Sequence, residues 1–151
     1  MLEFASIEAL RAHIGKPMGT SDWLTIDQDR INRFADATGD HQWIHIDVER
    51  AKREMPGGKT IAHGYLTLSL IPHLSQSVAK VKGVSRGINY GSNKVRFTAP
   101  VQCGSRIRLH TVLKSMEPVT GGTRITYECT VEIEGQDKPA LVAETLHIAY
   151  A

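Results

Sequence analysis

The chain has 151 residues, a formal net charge of +2, 41% hydrophobic residues and 23% charged residues, which is the composition of a water-soluble globule with one domain, residues 1–151, and one core. No apolar run approaches the roughly 20 residues of a membrane span, acids stand where a signal peptide has its basic region, and no Lys/Arg stripe interleaves with aromatics for nucleic acid. The two cysteines, Cys103 and Cys129, are too few for a disulfide framework; they point to a cytoplasmic setting in which each packs as a small apolar side chain.

Ile7, Leu10 and Ile14 recur at helical spacing before Gly15, so Ser6 to Ile14 reads as a weakly amphipathic helix. Trp23 to Ile26 is a short candidate strand. Asp27 is placed to cap a helix over 28–38, with Ile31, Phe34, Ala35 and Thr38 on one face. A loop follows, then a short turn over 48–54 capped by Asp47, then a Pro-Gly-Gly loop over 55–59. Residues 61–80 are apolar around most of a helical circumference, which predicts a buried helix. Pro72 costs about 3 kcal/mol in a helix interior, so a kink or an early end is expected there.

The second half alternates with period two. Ile125, Tyr127, Cys129, Val131 and Ile133 oppose Thr126, Glu128, Thr130, Glu132 and Glu134, and Ile107, Leu109, Thr111 and Leu113 oppose Arg106, Arg108 and His110. These are half-buried antiparallel strands, joined as a hairpin at Gly121-Gly122. Further strands are expected over 86–91, 93–98 and 140–150. Helices first and a strand meander afterwards predict α+β, with the sheet curved around the 61–80 helix.

The most informative stretch is Phe34-Ala-Asp-Ala-Thr-Gly39-Asp40-His-Gln-Trp-Ile-His45-Ile-Asp47. A helix pattern stops at a glycine, an acid follows, and a histidine comes five residues later. Five residues turn two side chains roughly 140° apart on a helix and to opposite faces on a strand. Asp40 and His45 therefore meet only across a bend, which Gly39 permits. A carboxylate and an imidazole so held share a water and move its protons. Ordinary loop residues explain the same stretch without chemistry. A zinc pair formed by His41 and His45 is a third reading, opposed by the helix break at Gly39 and by the lack of a clear third ligand.

Together with Ile61-Ala-His63-Gly64 and Val95-Arg96-Phe97-x-x-Pro100-Val101, this stretch resembles the MaoC-like dehydratases. Within them it is most similar to the single-domain (R)-specific enoyl-CoA hydratases and the nodulation-protein-N-like group, over roughly residues 20–150. The resemblance implies a hot-dog fold, a homodimer or dimer of dimers with active sites shared between chains, and addition of water to trans-2-enoyl-CoA to give (R)-3-hydroxyacyl-CoA. It places Asp40 and His45 on the catalytic pair. The CoA thioester is then the substrate, with no cofactor and no metal. The family often has Asn-Pro between acid and histidine, where this chain has His41-Gln42-Trp43-Ile44; Thr67 stands where the family often has serine.

The enolate formed in that reaction needs hydrogen-bond donors. The N–H of Gly64, where the 61–80 helix begins, is the candidate, against a plain packing role for the glycine. His63 is expected to bond backbone, and the Thr67 hydroxyl to support the histidine or its loop. Asn93, Lys94 and Arg96 are candidates for the phosphates of coenzyme A, with strand alternation sending Lys94 and Arg96 to one face; an edge-strand charge row, with Asn93 as a turn residue, is the alternative. Two other functions stay open: a hot-dog thioesterase, disfavoured because residues 64–80 hold no Asp or Glu, and a non-catalytic partner subunit, disfavoured by the intact Asp40/His45 pair.

Overall fold

The computed structural model describes residues 1–151. Its frame is a six-stranded antiparallel sheet in the order β2-β6-β7-β8-β5, with β3 also pairing β6. The strands are β2 (Pro17–Thr20), β3 (Leu24–Thr25), β5 (Arg86–Phe97), β6 (Arg106–Val119), β7 (Gly122–Ile133) and β8 (Leu141–Tyr150). The β6–β7 hairpin closes with Val119 opposite Gly122, beside Gly121 at φ 77°. That left-handed backbone is where glycine is needed. β1 (Leu2–Phe4) and β4 (Ala79–Val81) form a separate parallel pair.

Ile107 and Leu109 of β6, Val131 and Ile133 of β7 and Leu141 of β8 point inward, as the alternation predicts. They pack on Leu66, Leu70, Ile71 and Leu74 in one core cluster. A second cluster, around Leu10, Met18, Val78, Leu113 and Ile125, fills the other end of the sheet. The sheet therefore wraps a central helical segment, which is the α+β hot-dog arrangement. No helix is long and apolar enough to cross a membrane.

Helix α1 (Gln28–Thr38) has the expected ends: the Asp27 carboxylate accepts from the Arg30 N–H, and Gly39 closes the C-terminus at φ 80°. A short α2 (Trp43–Ile46) and then α3 (Val48–Glu54), capped by Asp47, follow. The central helix is shorter than the 61–80 expectation and is divided. Ile61 bridges Gln102 and the Ala62 N–H bonds the Val101 carbonyl, so residues 61–62 are extended. Helix proper runs through α4 (Gly64–Ser69) and α5 (Ile71–Ser75), with Leu70 between them. Pro72 lies in the first turn of α5, where its missing N–H costs least. Apolar residues at 61 and 62, which are extended, and at 78, which lies in a turn before β4, fit a helix equally well, which is why periodicity overran both ends. Nor is the helix covered all round, since Tyr65 is exposed. Residues 8–13 and 56–58 form 3-10 turns.

β5 is a single strand where two were expected. Its register shifts between Asn89 and Gly91 and again between Asn93 and Arg96, and Lys94 has φ 55°. The strict alternation that put Lys94 and Arg96 on one face fails at this bulge. β5 is also a sheet edge, exposed along nearly its whole length.

Candidate active site

The helix stop at Gly39 turns the chain back on itself. The Asp40 N–H reaches the Thr38 hydroxyl at 3.3 Å, and the Gln42 N–H reaches Asp40 Oδ1 at 3.4 Å. The next residues wind into α2, which carries His45 on its inner side, 7% exposed.

His45 is fixed from three directions. Its Nδ1 lies 2.7 Å from the Ile61 carbonyl, and a carbonyl only accepts, so Nδ1 carries the proton and Nε2 holds the free lone pair. Its own carbonyl accepts from Gln28 Nε2 at 2.7 Å. The Gln28 Oε1 in turn accepts from the buried Thr60 hydroxyl at 2.6 Å. Gln28 went unnoticed in the sequence because it reads as an ordinary first-turn helix residue. Only the fold brings it beneath a loop seventeen positions away.

His63 completes the arrangement. Its Nε2 donates to the main-chain carbonyl of Asp40 at 2.9 Å, and its ring stacks on His45 with centroids 3.8 Å apart and an interplanar angle of 23°. The backbone-bonding role expected of it is thus the observed one, and the backbone it bonds belongs to Asp40. Its Nδ1 is buried without a hydrogen-bond partner. Such an atom ordinarily costs about 1–3 kcal/mol.

The Asp40 carboxylate and ring nitrogens of His45 and His63 lie within 4.8 Å of one another. A water with hydrogen bonds of about 2.8 Å to each side spans such a gap. The three groups could equally hold a cation by their ligand atoms, since a histidine ligand commonly donates its other ring N–H to a carbonyl. His41 turns away to Asp36 at 2.9 Å, so it forms no pair with His45. Burial pushes the His45 pKa below its ordinary value; the Ile61 bond opposes this, the neighbouring His63 adds to it, and Asp40 opposes it. His45 is therefore neutral at physiological pH, with the Nε2 lone pair free to accept a proton.

His45, Gly64 and Thr67 line one cavity of about 320 Å³ with Phe97 and Pro100. The N–H groups of Gly64 and Tyr65 have no acceptor in the chain, as expected of a first turn. The packing role for Gly64 is also real: a Cβ there would fall 2.8 Å from the Phe97 ring. The Thr67 hydroxyl is buried but makes no bond to His45 or its loop; it lies in the cavity wall.

The three residues expected to grip phosphates are scattered along the exposed edge. Lys94 pairs with Glu144 at 3.2 Å, and Glu144 also holds Lys114. Arg96 donates only to the Val95 carbonyl, leaving its charge without a carboxylate. Asn93 sits opposite Glu144, just before the bulge.

Comparison with known proteins bears on the family and the fold. The family model described as MaoC like domain matches residues 9–136. Over 147 residues the chain is 53% identical to the 3-hydroxyacyl-thioester dehydratase Z of Mycobacterium tuberculosis, covering 97% of each. It is 46% identical to nodulation protein N of Rhizobium leguminosarum bv. viciae over 95% of this chain and 90% of that one. Among solved structures, the unliganded R-hydratase of Pseudomonas aeruginosa superposes with a TM-score of 0.73 at 23% identity, over 91% of this chain and 81% of that one. At that identity the likeness speaks for the fold.

Proposed function

The chain belongs to the MaoC-like dehydratase family, and from that premise we propose that it adds water to trans-2-enoyl-CoA to give (R)-3-hydroxyacyl-CoA, and runs the reverse dehydration. The thioester carbonyl withdraws electrons from the conjugated double bond, so C3 accepts a nucleophile. In this reading the nucleophile is a water held between Asp40 and His45. His45 Nε2 takes a proton from the water as oxygen bonds C3. Asp40 accepts a hydrogen bond from the water's other O–H, which stays on the oxygen as the product hydroxyl, and aligns the attacking lone pair. The thioester oxygen gains the electron pair of the double bond, and the Gly64 N–H stabilises that enolate. Collapse of the enolate draws a proton onto C2 from the His45 imidazolium. One water is added and His45 returns to neutral.

The observation that carries this reading is the tautomer of His45. The bond from Nδ1 to Ile61 leaves a basic nitrogen free, beside a carboxylate and at a cavity wall. Burial keeps that nitrogen unprotonated. A thioesterase of this fold generally places an acid on the central helix, and α4 and α5 carry none. Coenzyme A enters as substrate, with its phosphates reaching Arg96. Ile88, Tyr90 and Phe97 stand exposed on the β5 edge, which supports a homodimer formed along that edge; light scattering showing a fully active monomer would count against it.

The test is the loss of conjugated-thioester absorbance on adding crotonyl-CoA, run beside a free-thiol assay, with the C3 configuration of the product determined. Hydration to the (R) alcohol without thiol release is the expected result. Thiol release, or an (S) product, contradicts the reading.

A further inference from the structure

A second chamber, which shares no lining residue with the His45 cavity, lies between α5 and the far end of the sheet. It holds about 220 Å³ and its wall is largely apolar, with Ile71, Val78, Ile125 and Ala149 among its residues. Two polar aromatic groups break that wall. Tyr127 and His147 meet edge to face with ring centroids 5.8 Å apart, and neither the phenol oxygen nor either imidazole nitrogen bonds any protein group. The nearby Cys129 thiol and Thr145 hydroxyl are by contrast partnered with each other at 3.4 Å. Polar groups that line an apolar chamber without protein partners are suited to a ligand's polar atom.

The chamber lies in line with the reaction site. Thr67 lines the His45 cavity, and Ile71 and Ser75, at successive turns of the same helical segment, line the chamber. From Thr67 to Ser75 is about 12 Å at 1.5 Å per residue, the reach of a medium-length acyl chain. A groove lined by Leu68 and Pro72 adjoins the chamber and shares Ile71, Thr145 and His147 with it.

We propose that this chamber is a tail subsite that selects acyl chains carrying an uncharged oxygen, a hydroxyl or a carbonyl, bound by Tyr127 and His147. The inference rests on the acyl-thioester reading above. Burial pushes the Tyr127 phenol up to about 12 and holds the His147 imidazole below its ordinary range, so both groups are neutral. Together they offer donors and an acceptor. No lysine or arginine lines the chamber, so a terminal carboxylate would enter without a counter-charge, whereas a hydroxyl or carbonyl would find its full complement of bonds.

The test is calorimetric binding of saturated acyl-CoA esters against their ω-hydroxy counterparts, from hexanoyl to dodecanoyl, to the intact protein and to Tyr127→Phe. The expected result is an ω-hydroxy ester bound about tenfold tighter once the tail passes Ile71, the value of one added hydrogen bond. Tyr127→Phe should bring that ratio close to one and leave butanoyl-CoA affinity unchanged. No preference at any chain length, or a preference that survives Tyr127→Phe, overturns the proposal. Crotonyl-CoA hydration separates the two readings. Hydration with a flat ratio removes the tail subsite alone, while a clear ratio without hydration removes the hydratase reading and keeps the subsite.

Discussion

Replacing Gly64 with alanine tests the tightest contact at the site. The added Cβ would lie 2.8 Å from Phe97 Cγ and 2.9 Å from both Cδ atoms, well inside van der Waals contact. Overpacking of this kind costs about 1–3 kcal/mol. Two effects reduce it: alanine favours helix over glycine by up to about 1 kcal/mol, and a rotation of the Phe97 ring relieves the clash at an off-rotamer cost of about 0.5–1.5 kcal/mol. The net expectation is a loss of about 1–2 kcal/mol, or about 2–8 °C in Tm for a domain of this size. Because Phe97 lines the cavity, hydration should fall as well. Thermal unfolding of Gly64→Ala, Phe97→Ala and the double variant forms a cycle, and the double variant should recover at least about 1 kcal/mol relative to the sum of the singles. A single variant with unchanged Tm and unchanged activity, or a strictly additive cycle, refutes the close-packing argument.

Gln28→Leu leaves the buried Thr60 hydroxyl without its acceptor and frees the His45 carbonyl. It should cost about 1–3 kcal/mol and lower kcat more than it raises KM, as calorimetry and steady-state kinetics will show. The His45 pKa is depressed by burial, so the unfolded chain binds its proton first, near pH 6.5. The resulting stability is fully present above that value and is lost as pH falls through the lower folded value. The acid limb of kcat/KM should accordingly lie below about pH 6.5; a limb above it contradicts the buried neutral base. Arg96→Ala should raise KM for enoyl-CoA more than Lys94→Ala, because Glu144 already holds Lys94, and added salt should shrink the difference.

The strand half of the fold was legible because its signal is local. Ile107 to Leu113 and Ile125 to Ile133 alternate cleanly, and each falls on the face its side chains require. The helix stop at Gly39 was legible for the same reason, since glycine in the left-handed region is a single-residue signal. The span of the central helix was not. Ile61 and Ala62 continue the apolar run, but their backbone pairs with residues 101 and 102, forty positions on. At the site, Asp40 and His45 were visible through their spacing. The hold on them was not, because Ile61, Gln28 and His63 reach them across sixteen, seventeen and twenty-three positions. The bulge at Lys94 likewise depends on a partner strand that the local sequence does not reveal.

The central claim is that Asp40 and His45 act on one water as a unit. The direct measurement is the crotonyl-CoA hydration rate of Asp40→Asn, His45→Gln and the double variant, with unfolding curves to establish that each is folded. Each single change should lower kcat by about 10²–10⁴-fold, and the double variant should lose little beyond the worse single one, because groups acting together are not additive. Near-normal kcat in either folded single variant, or a double variant whose losses multiply, would contradict the account.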